Sequence, residues 1–398
     1  MSQTFPENPG PESPAPALRV AIIHHWLVTM RGGERVVEAL CEMYPDAEIF
    51  THVYNPDRVS ETIRRHKVHT SFIDRLPRAR KFYQWYLPLM PLALERFDLR
   101  EFDLVISSDA GPVKGVVTSP DTPHVCYCHA PMRYIWGMEA EYLANAKRSA
   151  RVAFPFIAHY MRLWDYAAAS RVDEFVANST AVARRIRKFY RRTAEVIPPP
   201  IDCDAFSPAP SEDFYLLAGQ LVAYKRPEIA IEACNRTGRK LVVIGEGERL
   251  ASMRQLAGPT VTVLGAQPHA VLRDHYSRCR ALLFPGEEDF GMVPVEAMAS
   301  GKPVIALGKG GALDTVVDGV TGVLFGRSTP EALIAAIERF EAVESGFDPI
   351  RIAAHARTFD RSVFKRRMQV AIDKCVAGSM VGQMHGPTSS ETLRYPNN

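Results

Sequence analysis

The sequence predicts an α/β protein of two halves, each a mostly parallel sheet layered with helices, and three observations predict it. Short apolar runs of strand length alternate with stretches of helical periodicity along nearly all of the 398 residues. The alternation pauses once, at Val196-Ile197-Pro198-Pro199-Pro200-Ile201-Asp202, and then restarts. Domains usually run to roughly 100–200 residues, so a chain of this length divides most simply into two.

Residues Met1 to Ala17 are polar and proline-rich, without the apolar stretch of a signal peptide, and read as a disordered leader. The N-terminal half, 18–197, opens with the strand Leu18-Arg19-Val20-Ala21-Ile22-Ile23-His24. A turn containing Gly32-Gly33 follows, then a helix with Val36, Val37, Leu40 and Tyr44 on one face. Further strands are expected at 103–107, 124–128 and 174–177. The three successive prolines exclude helix and favour a stiff, extended connector. The second half, 198–359, carries strands at 214–219, 240–245, 261–264, 281–284 and 303–307. Residues 360–378 read as a terminal helix and 379–398 as a polar, disordered tail. Two such halves place a ligand cleft between the carboxyl ends of two sheets.

Composition narrows the function. A net charge of +3 is too small to argue for nucleic acid as a partner, and no apolar run approaches the length of a membrane span. The seven cysteines are odd in number and form no C-x-x-C pair, which suggests neither a disulfide framework nor a zinc site. Cys126 and Cys128 alternate, face one side of a strand and read as buried thiols, in keeping with a reducing cytoplasm.

One stretch carries more chemistry than any other. In Glu288-Asp289-Phe290-Gly291-Met292-Val293-Pro294-Val295-Glu296, two glutamates are separated by seven residues between two buried strands. Pro294 suits a first helical turn and Gly301 a C-terminal cap, which puts Glu296 in the first turn and Glu288 on the loop before it. Carboxylates there accept hydroxyl donors from a polyhydroxylated ligand; the spacing alone fits equally well a dipole-complementing Glu296 and a solvated Glu288.

Other candidates lie at strand ends. The Gly32-Gly33 turn lets backbone approach a phosphate, or is only a tight turn. Lys225 and Arg226, after Gly219-Gln220, would face the cleft, where cations can neutralise a diphosphate, or form a solvated basic loop. His129, beside Arg133, Tyr134 and Trp136, also ends a strand. His24 and His25 do too, but neighbouring strand residues point to opposite faces, so a shared metal is not expected. Gly245-Glu246-Gly247-Glu248-Arg249-Leu250 fails the dinucleotide fingerprint at its third glycine. Residues 64–91 mix Arg75, Arg78, Arg80 and Lys81 with Phe72, Phe82, Tyr83, Trp85 and Tyr86, which suits peripheral contact with anionic lipid or a solvated helix. The basic run 184–192 reads as a solvated helix face.

These residues together resemble family 4 of the retaining glycosyltransferases, enzymes with the α/β GT-B fold of two facing, doubly wound, Rossmann-like domains and a cleft between them. The resemblance runs from about Leu18 to Cys375 and is most specific over Phe290–Gly301, continued by Gly310-Gly311-Ala312-Leu313-Asp314 and Thr321-Gly322-Val323-Leu324-Phe325. His129-Ala130-Pro131-Met132-Arg133-Tyr134 and Tyr224-Lys225-Arg226 look like a bacterial subset assigned to mannosyl transfer in polysaccharide and lipopolysaccharide assembly. The resemblance implies that Glu288 contacts donor-sugar hydroxyls and Glu296 the ribose. Backbone at Phe290, Gly291, Met292 and Val293 would hold sugar and diphosphate, with Gly32, Gly33 and Lys225 on the phosphates and His129 near the sugar. It implies a terminal helix packed back on the first half.

Two departures stand out. Gln220 occupies a position where the family usually has Arg, so either Arg226 compensates or activity is reduced; Asp314 replaces a more usual Glu, a milder change. The implied reaction breaks a sugar–diphosphate bond through an oxocarbenium-like centre while negative charge grows on the leaving group. Lys225, glycine amides and helix N-termini would stabilise that charge, so neither metal nor cofactor is required. The acceptor hydroxyl would attack from the leaving-group face, leaving Glu288 a positioning residue.

The expected function is hexosyl transfer, with mannose from GDP-mannose as donor, to a lipid-linked or polysaccharide acceptor such as a polyprenyl-diphosphate-linked glycan at the inner face of the cytoplasmic membrane. A UDP-sugar-dependent hexosyltransferase, a GT-B nucleotide-sugar epimerase and a non-catalytic sugar-nucleotide-binding module are the alternatives.

Overall fold

The computed structural model describes residues 18–137, 139, 143 and 148–384; the expected leader 1–17 and the end of the expected tail, 385–398, lie outside the described residues. Two wholly parallel sheets carry the chain. The first contains β1 (Val20–His24), β2 (Glu48–Thr51), β3 (Val68–Thr70), β4 (Leu104–Asp109), β5 (His124–Cys128), β6 (Glu174–Ala177) and β7 (Glu195–Val196), in the order β3-β2-β1-β4-β5-β6-β7. The second contains β8 (Tyr215–Ala218), β9 (Leu241–Ile244), β10 (Val261–Gly265), β11 (Leu282–Phe284), β12 (Val304–Leu307) and β13 (Gly322–Phe325), in the order β10-β9-β8-β11-β12-β13.

Burial explains why most strands are legible. Helices cover both faces of a parallel sheet, so β1, β4, β5, β8 and β12 are buried at every position. Four strands, β2, β3, β7 and β13, lie outside the expected runs; β2 and β13 are short but largely buried, and the other two are weakly apolar. At β3, Val-His-Thr has no buried residue and sits on the edge, and β7 is two residues long beside the prolines.

In each sheet the chain runs outward, returns to the middle and runs out the other way. The reversals fall between β1 and β4 and between β8 and β11. A crevice opens outside the carboxyl ends of the strands at each such point, and there the candidate residues stand.

The chain crosses between the sheets twice in one place. Ile201, just past the prolines, pairs with Asp360; Ile201 N donates to Phe359 O at 3.2 Å and Arg361 N to Ile201 O at 2.9 Å. Helices named here are α1 (Gly32–Met43), α2 (Arg148–Ala168), α3 (Thr180–Tyr190), α4 (Met292–Ala299) and α5 (Arg361–Met384). The terminal helix is thus longer than the expected 360–378: nothing in Ser379-Met380-Val381-Gly382-Gln383-Met384 breaks it, so the described part of the expected tail is helical. It lies on the first sheet, where Phe364, Met368, Ala371 and Ile372 join Val36, Leu40, Ile106 and Tyr127 in one core. Arg361 anchors it to α1 through Glu38 at 2.6 Å and Glu42 at 2.9 Å.

Residues 64–91 form no single helix but β3 and a series of short helical turns, with Trp85 74% exposed and stacked on Phe82. Beside them lies α2, which the sequence reading passed over. Its Ala158 and Met161 pack with Met132 and Ile135, while Val152, Phe156, Tyr160, Leu163 and Tyr166 face outward. Among the described residues no helix is long and apolar enough to cross a membrane. The basic run 184–192 lies mainly in α3, capped by Ser179 and seated through Ala181, Val182, Ile186 and Tyr190.

Candidate functional site

Two helix N-termini face each other across the cleft. Helix α1 begins at Gly32, where Arg31 N–H donates to Glu34 Oε2 at 2.9 Å and tightens the turn. Helix α4 begins after Gly291, whose φ of +84° closes the preceding loop in a conformation only glycine adopts freely. A Cβ on Gly32 would stand 3.0 Å from Met292 Sδ; one on Gly33 would stand 3.4 Å from His24 Cε1 and 3.8 Å from His129 Nε2. First-turn amides lack partners within their own helix and carry the positive end of its dipole. Gly32, Gly33, Met292 and Val293 therefore frame a slot suited to an anion, with His129 at its side.

His129 is held from three directions. Its Nε2 lies 2.8 Å from Ser108 Oγ, its backbone N–H donates to Asp109 O at 2.7 Å, and Asn178 Nδ2 donates to its carbonyl at 2.9 Å. Burial lowers its pKa to about 4, so the ring is neutral near pH 7 and offers a hydrogen bond, not a fixed charge. His24 beneath it is buried as well, bonded through Nδ1 to Ser108 O at 3.1 Å.

Glu288 lies on the loop after β11, and Lys225 Nζ meets its Oε1 at 2.8 Å. Burial works against the Lys225 charge, but Glu288 and Tyr224 outweigh it and raise its pKa, so the ammonium persists. Three backbone segments press together to build this wall. A Cβ on Gly286 would overlap Lys225, one on Gly310 would overlap Glu288 O, and one on Gly311 would overlap the Phe290 backbone. Phe290 turns its ring into the core against Phe359, so only its main chain faces the cleft.

Glu296 is not where the spacing put it. Because Gly291 is the N-cap, the helix starts two residues before Pro294: Met292 is the first helical residue, Pro294 the third and Glu296 the fifth, beyond the first turn. It accepts a hydrogen bond from the buried Tyr276 hydroxyl at 2.9 Å, and burial raises its pKa despite Tyr276, Arg35 and Lys225. A carboxylate fixed by a buried phenol is a built feature, which the dipole-complementing alternative does not require.

The domains also grip each other directly. Asp289 takes ion pairs from both Arg133 and Arg185, and Arg133 stacks its guanidinium 5.2 Å from the Tyr224 ring. Asp314 accepts from Thr180 N at 2.8 Å and Thr180 Oγ1 at 2.6 Å, at the start of α3. With its amide turned to present oxygen, Gln220 accepts from both terminal nitrogens of Arg31 at 3.0 Å. Arg226 is exposed, its Nε donates to Glu228 at 2.7 Å, and it lines the larger opening described next.

Two openings flank this centre. One, of about 620 Å³, lies between Arg31 on one domain and Gln220, Gly245 and Gln267 on the other. Gly245 and Gly247 lie where a Cβ would overlap Gly219 and Leu221 carbonyls, which accounts for that glycine pair by backbone packing. The other, of about 790 Å³, is lined by Trp136, Tyr224 and Phe189 with Arg133, Arg249 and Lys309. A buried cluster without any local sequence signal supports it. Lys114 pairs with Asp109 and Asp165, and Asp165 also accepts from Trp136 Nε1 at 2.7 Å and Tyr190 at 2.8 Å. These residues are far apart in the chain and carry no motif.

Residues 30–205 match the family model described as Glycosyltransferase Family 4, and 204–351 the one described as Glycosyl transferases group 1. A D-inositol 3-phosphate glycosyltransferase of Segniliparus rotundus is 30% identical over 208 residues, 43% of this chain and 46% of that protein. One from Gordonia bronchialis is 27% identical over 312 residues, 65% of this chain and 68% of the relative. The chain spans about half the length of most of the curated relatives it matches. Among solved structures, sucrose-phosphate synthase of Thermosynechococcus elongatus superposes with a TM-score of 0.69 at 17% identity, over 90% of this chain and 100% of that one. Anabaena HepE in complex with UDP and glucose gives 0.64 at 16% identity, over 89% and 99%.

Proposed function

We propose that this chain, a family 4 glycosyltransferase of GT-B fold, moves a hexose with retention from a nucleotide sugar to an anionic, lipid-linked glycan. The carrying observation is the slot between Gly32-Gly33 and Gly291-Met292, with Lys225, Glu288 and His129 around it. A donor diphosphate fits there, because helix N-termini and Lys225 stabilise the charge that grows as the sugar bond breaks. The donor sugar then lies toward His129 and Glu288. Paired with Lys225, Glu288 is better suited to hold sugar hydroxyls than to attack carbon. Glu296, fixed by Tyr276, takes the ribose hydroxyls. The leaving group is stabilised without a metal or cofactor.

Mannose from GDP-mannose is the donor we favour, on the resemblance of the His129–Tyr134 and Tyr224–Arg226 stretches. A UDP-hexose is the second reading, supported by the neighbour solved with UDP-glucose. The acceptor enters through the larger opening, whose aromatic walls suit sugar rings and whose Arg249 and Lys309 suit a phosphate. The exposed apolar side chains of α2 and of Trp85, Leu89 and Leu92 support peripheral contact with the membrane that would carry it.

A thermal-shift panel of GDP, UDP and ADP sugars tests the donor, since a ligand at a hundred times its Kd stabilises by about 2.7 kcal/mol. Transfer from the stabilising donor that vanishes in Glu288→Ala supports the assignment. Product released from donor alone, with its sugar epimerised, would favour an epimerase instead. Binding without turnover would leave a sugar-nucleotide-binding module.

A further inference from the structure

We infer that Arg31, reaching across from the first domain, is a second cation that meets the donor diphosphate, beside Lys225. The inference rests on the reading of the cleft as a nucleotide-sugar site. Four observations carry it.

Arg31 directly precedes Gly32, so its guanidinium starts from the edge of the slot between the two helix N-termini. Its two terminal nitrogens converge on Gln220 at 3.0 Å, and Gln220 follows Gly219, whose Cβ would lie 3.6 Å from both Lys225 Nζ and Val293 Cγ2. The guanidinium therefore borders the same slot from the opposite domain.

Its hydrogen-bond partner is neutral. Among the described residues Arg31 makes no ion pair within 4.0 Å, although the Glu34 carboxylate feels its charge, and a guanidinium bonded to an amide keeps most of its pull on an anion. The nearest alternative cation is committed, because Lys225 is matched by Glu288 at 2.8 Å. That pair carries no net charge in the free protein, so the positive charge a diphosphate needs beyond Lys225 and the helix N-termini comes from Arg31.

The arrangement ties chemistry to closure. Lys225, Glu288 and the Met292 amide belong to the second domain, Arg31 to the first. The leaving group is fully stabilised only while both domains hold the donor. A donor bound to an open cleft is thereby kept from hydrolysis.

The test compares Arg31→Ala, Arg31→Lys, Gln220→Arg and the Arg31→Ala/Gln220→Arg double variant. GDP and UDP binding, nucleoside monophosphate binding and kcat with the stabilising donor are measured on each. Arg31 is exposed, so its replacement leaves the fold intact. In Arg31→Ala, kcat is expected to fall about 100-fold and nucleoside diphosphate affinity about tenfold, with monophosphate affinity nearly unchanged. Arg31→Lys falls between, and the double variant regains most of the loss, because Gln220→Arg returns the charge from the second domain. Unchanged diphosphate affinity and kcat in Arg31→Ala overturn the inference. So does a double variant as impaired as Arg31→Ala while Gln220→Arg alone is fully active. If the unaltered protein binds neither GDP nor UDP, the nucleotide-sugar reading falls first and takes this with it.

Discussion

Asp289, on the second domain, accepts a hydrogen bond from Arg133 Nε, on the first, at 2.7 Å, and the same carboxylate pairs with Arg185. Two arginines from separate elements of one domain converge on a single carboxylate of the other. Asp289→Ala leaves both arginines in a partly covered interface without that partner. Discounted for solvent, the loss is about 2–3 kcal/mol of closure free energy. The radius of gyration of the free protein should rise and donor KM increase at least tenfold, with the sheet circular dichroism unchanged. Identical scattering profiles for the two proteins would remove the clamp from the account.

Glu296 and Tyr276 separate binding from stability. Glu296→Ala removes a hydroxyl acceptor from the cleft and is expected to weaken nucleosides and nucleotides alike by about tenfold, a cost of roughly 1.4 kcal/mol. Tyr276→Phe deletes only the buried phenol oxygen and should lower stability by about 1 kcal/mol, with a smaller effect on affinity. Calorimetric titration beside urea unfolding distinguishes the two; a loss confined to diphosphates in Glu296→Ala would move this residue from ribose to phosphate.

Gly311 has a φ of −71°, which any residue adopts, yet its Cβ would overlap the Phe290 backbone. Gly311→Ala must push the Phe290–Met292 main chain, with overpacking costs of about 1–3 kcal/mol. Activity should fall further than stability, because the displaced amides are those offered to the diphosphate. Gly346→Ala, with open space around it, serves as the comparison and should match the unaltered protein in both melting temperature and turnover.

Buried histidines set the acid limit. Burial lowers His24, His52 and His124 to about 3, His129 to about 4, and His25 well below its usual value. Their folded pKa values lie below the unfolded 6.5, so their neutral forms favour the fold at and above neutrality. As pH falls through 6.5 toward 4, the unfolded chain takes up protons that the folded chain refuses, and stability declines. Asp109, raised to about 6 chiefly by burial, and the raised Glu34 and Glu296 offset this in part by binding protons in the fold. Urea midpoints should drop steadily between pH 7 and pH 5. A midpoint that holds constant over that interval would contradict neutral, buried imidazoles.

The layered architecture was legible because strands buried on both faces read as unbroken apolar runs; β5 and β6 fall at the expected residues. Edge strands such as β3 were not, since one exposed margin removes that signal. Within the cleft, the positions of Gly32, Gly33, His129, Lys225 and Glu288 followed from strand ends, which the sequence marks well. The pairings did not. That Asp289 would meet Arg185, 104 residues earlier in the chain, or that Gln220 would meet Arg31, depends on how two domains face each other. No local pattern encodes that. Glu296 falls just past the first turn because a single left-handed glycine decides where α4 begins.

The return of α5 onto the first sheet has a consequence for synthesis. Phe364, Met368, Ala371 and Ile372 fill a core whose other walls, from Val20 to Ile197, are translated far earlier. The N-terminal domain, encoded first, is therefore completed last. While the second domain is emerging from the ribosome, its partner waits with an uncovered apolar face, a state open to chaperones and to misassociation. A chain stopped before Phe364 would carry both sheets and both halves of the cleft, yet leave that face bare.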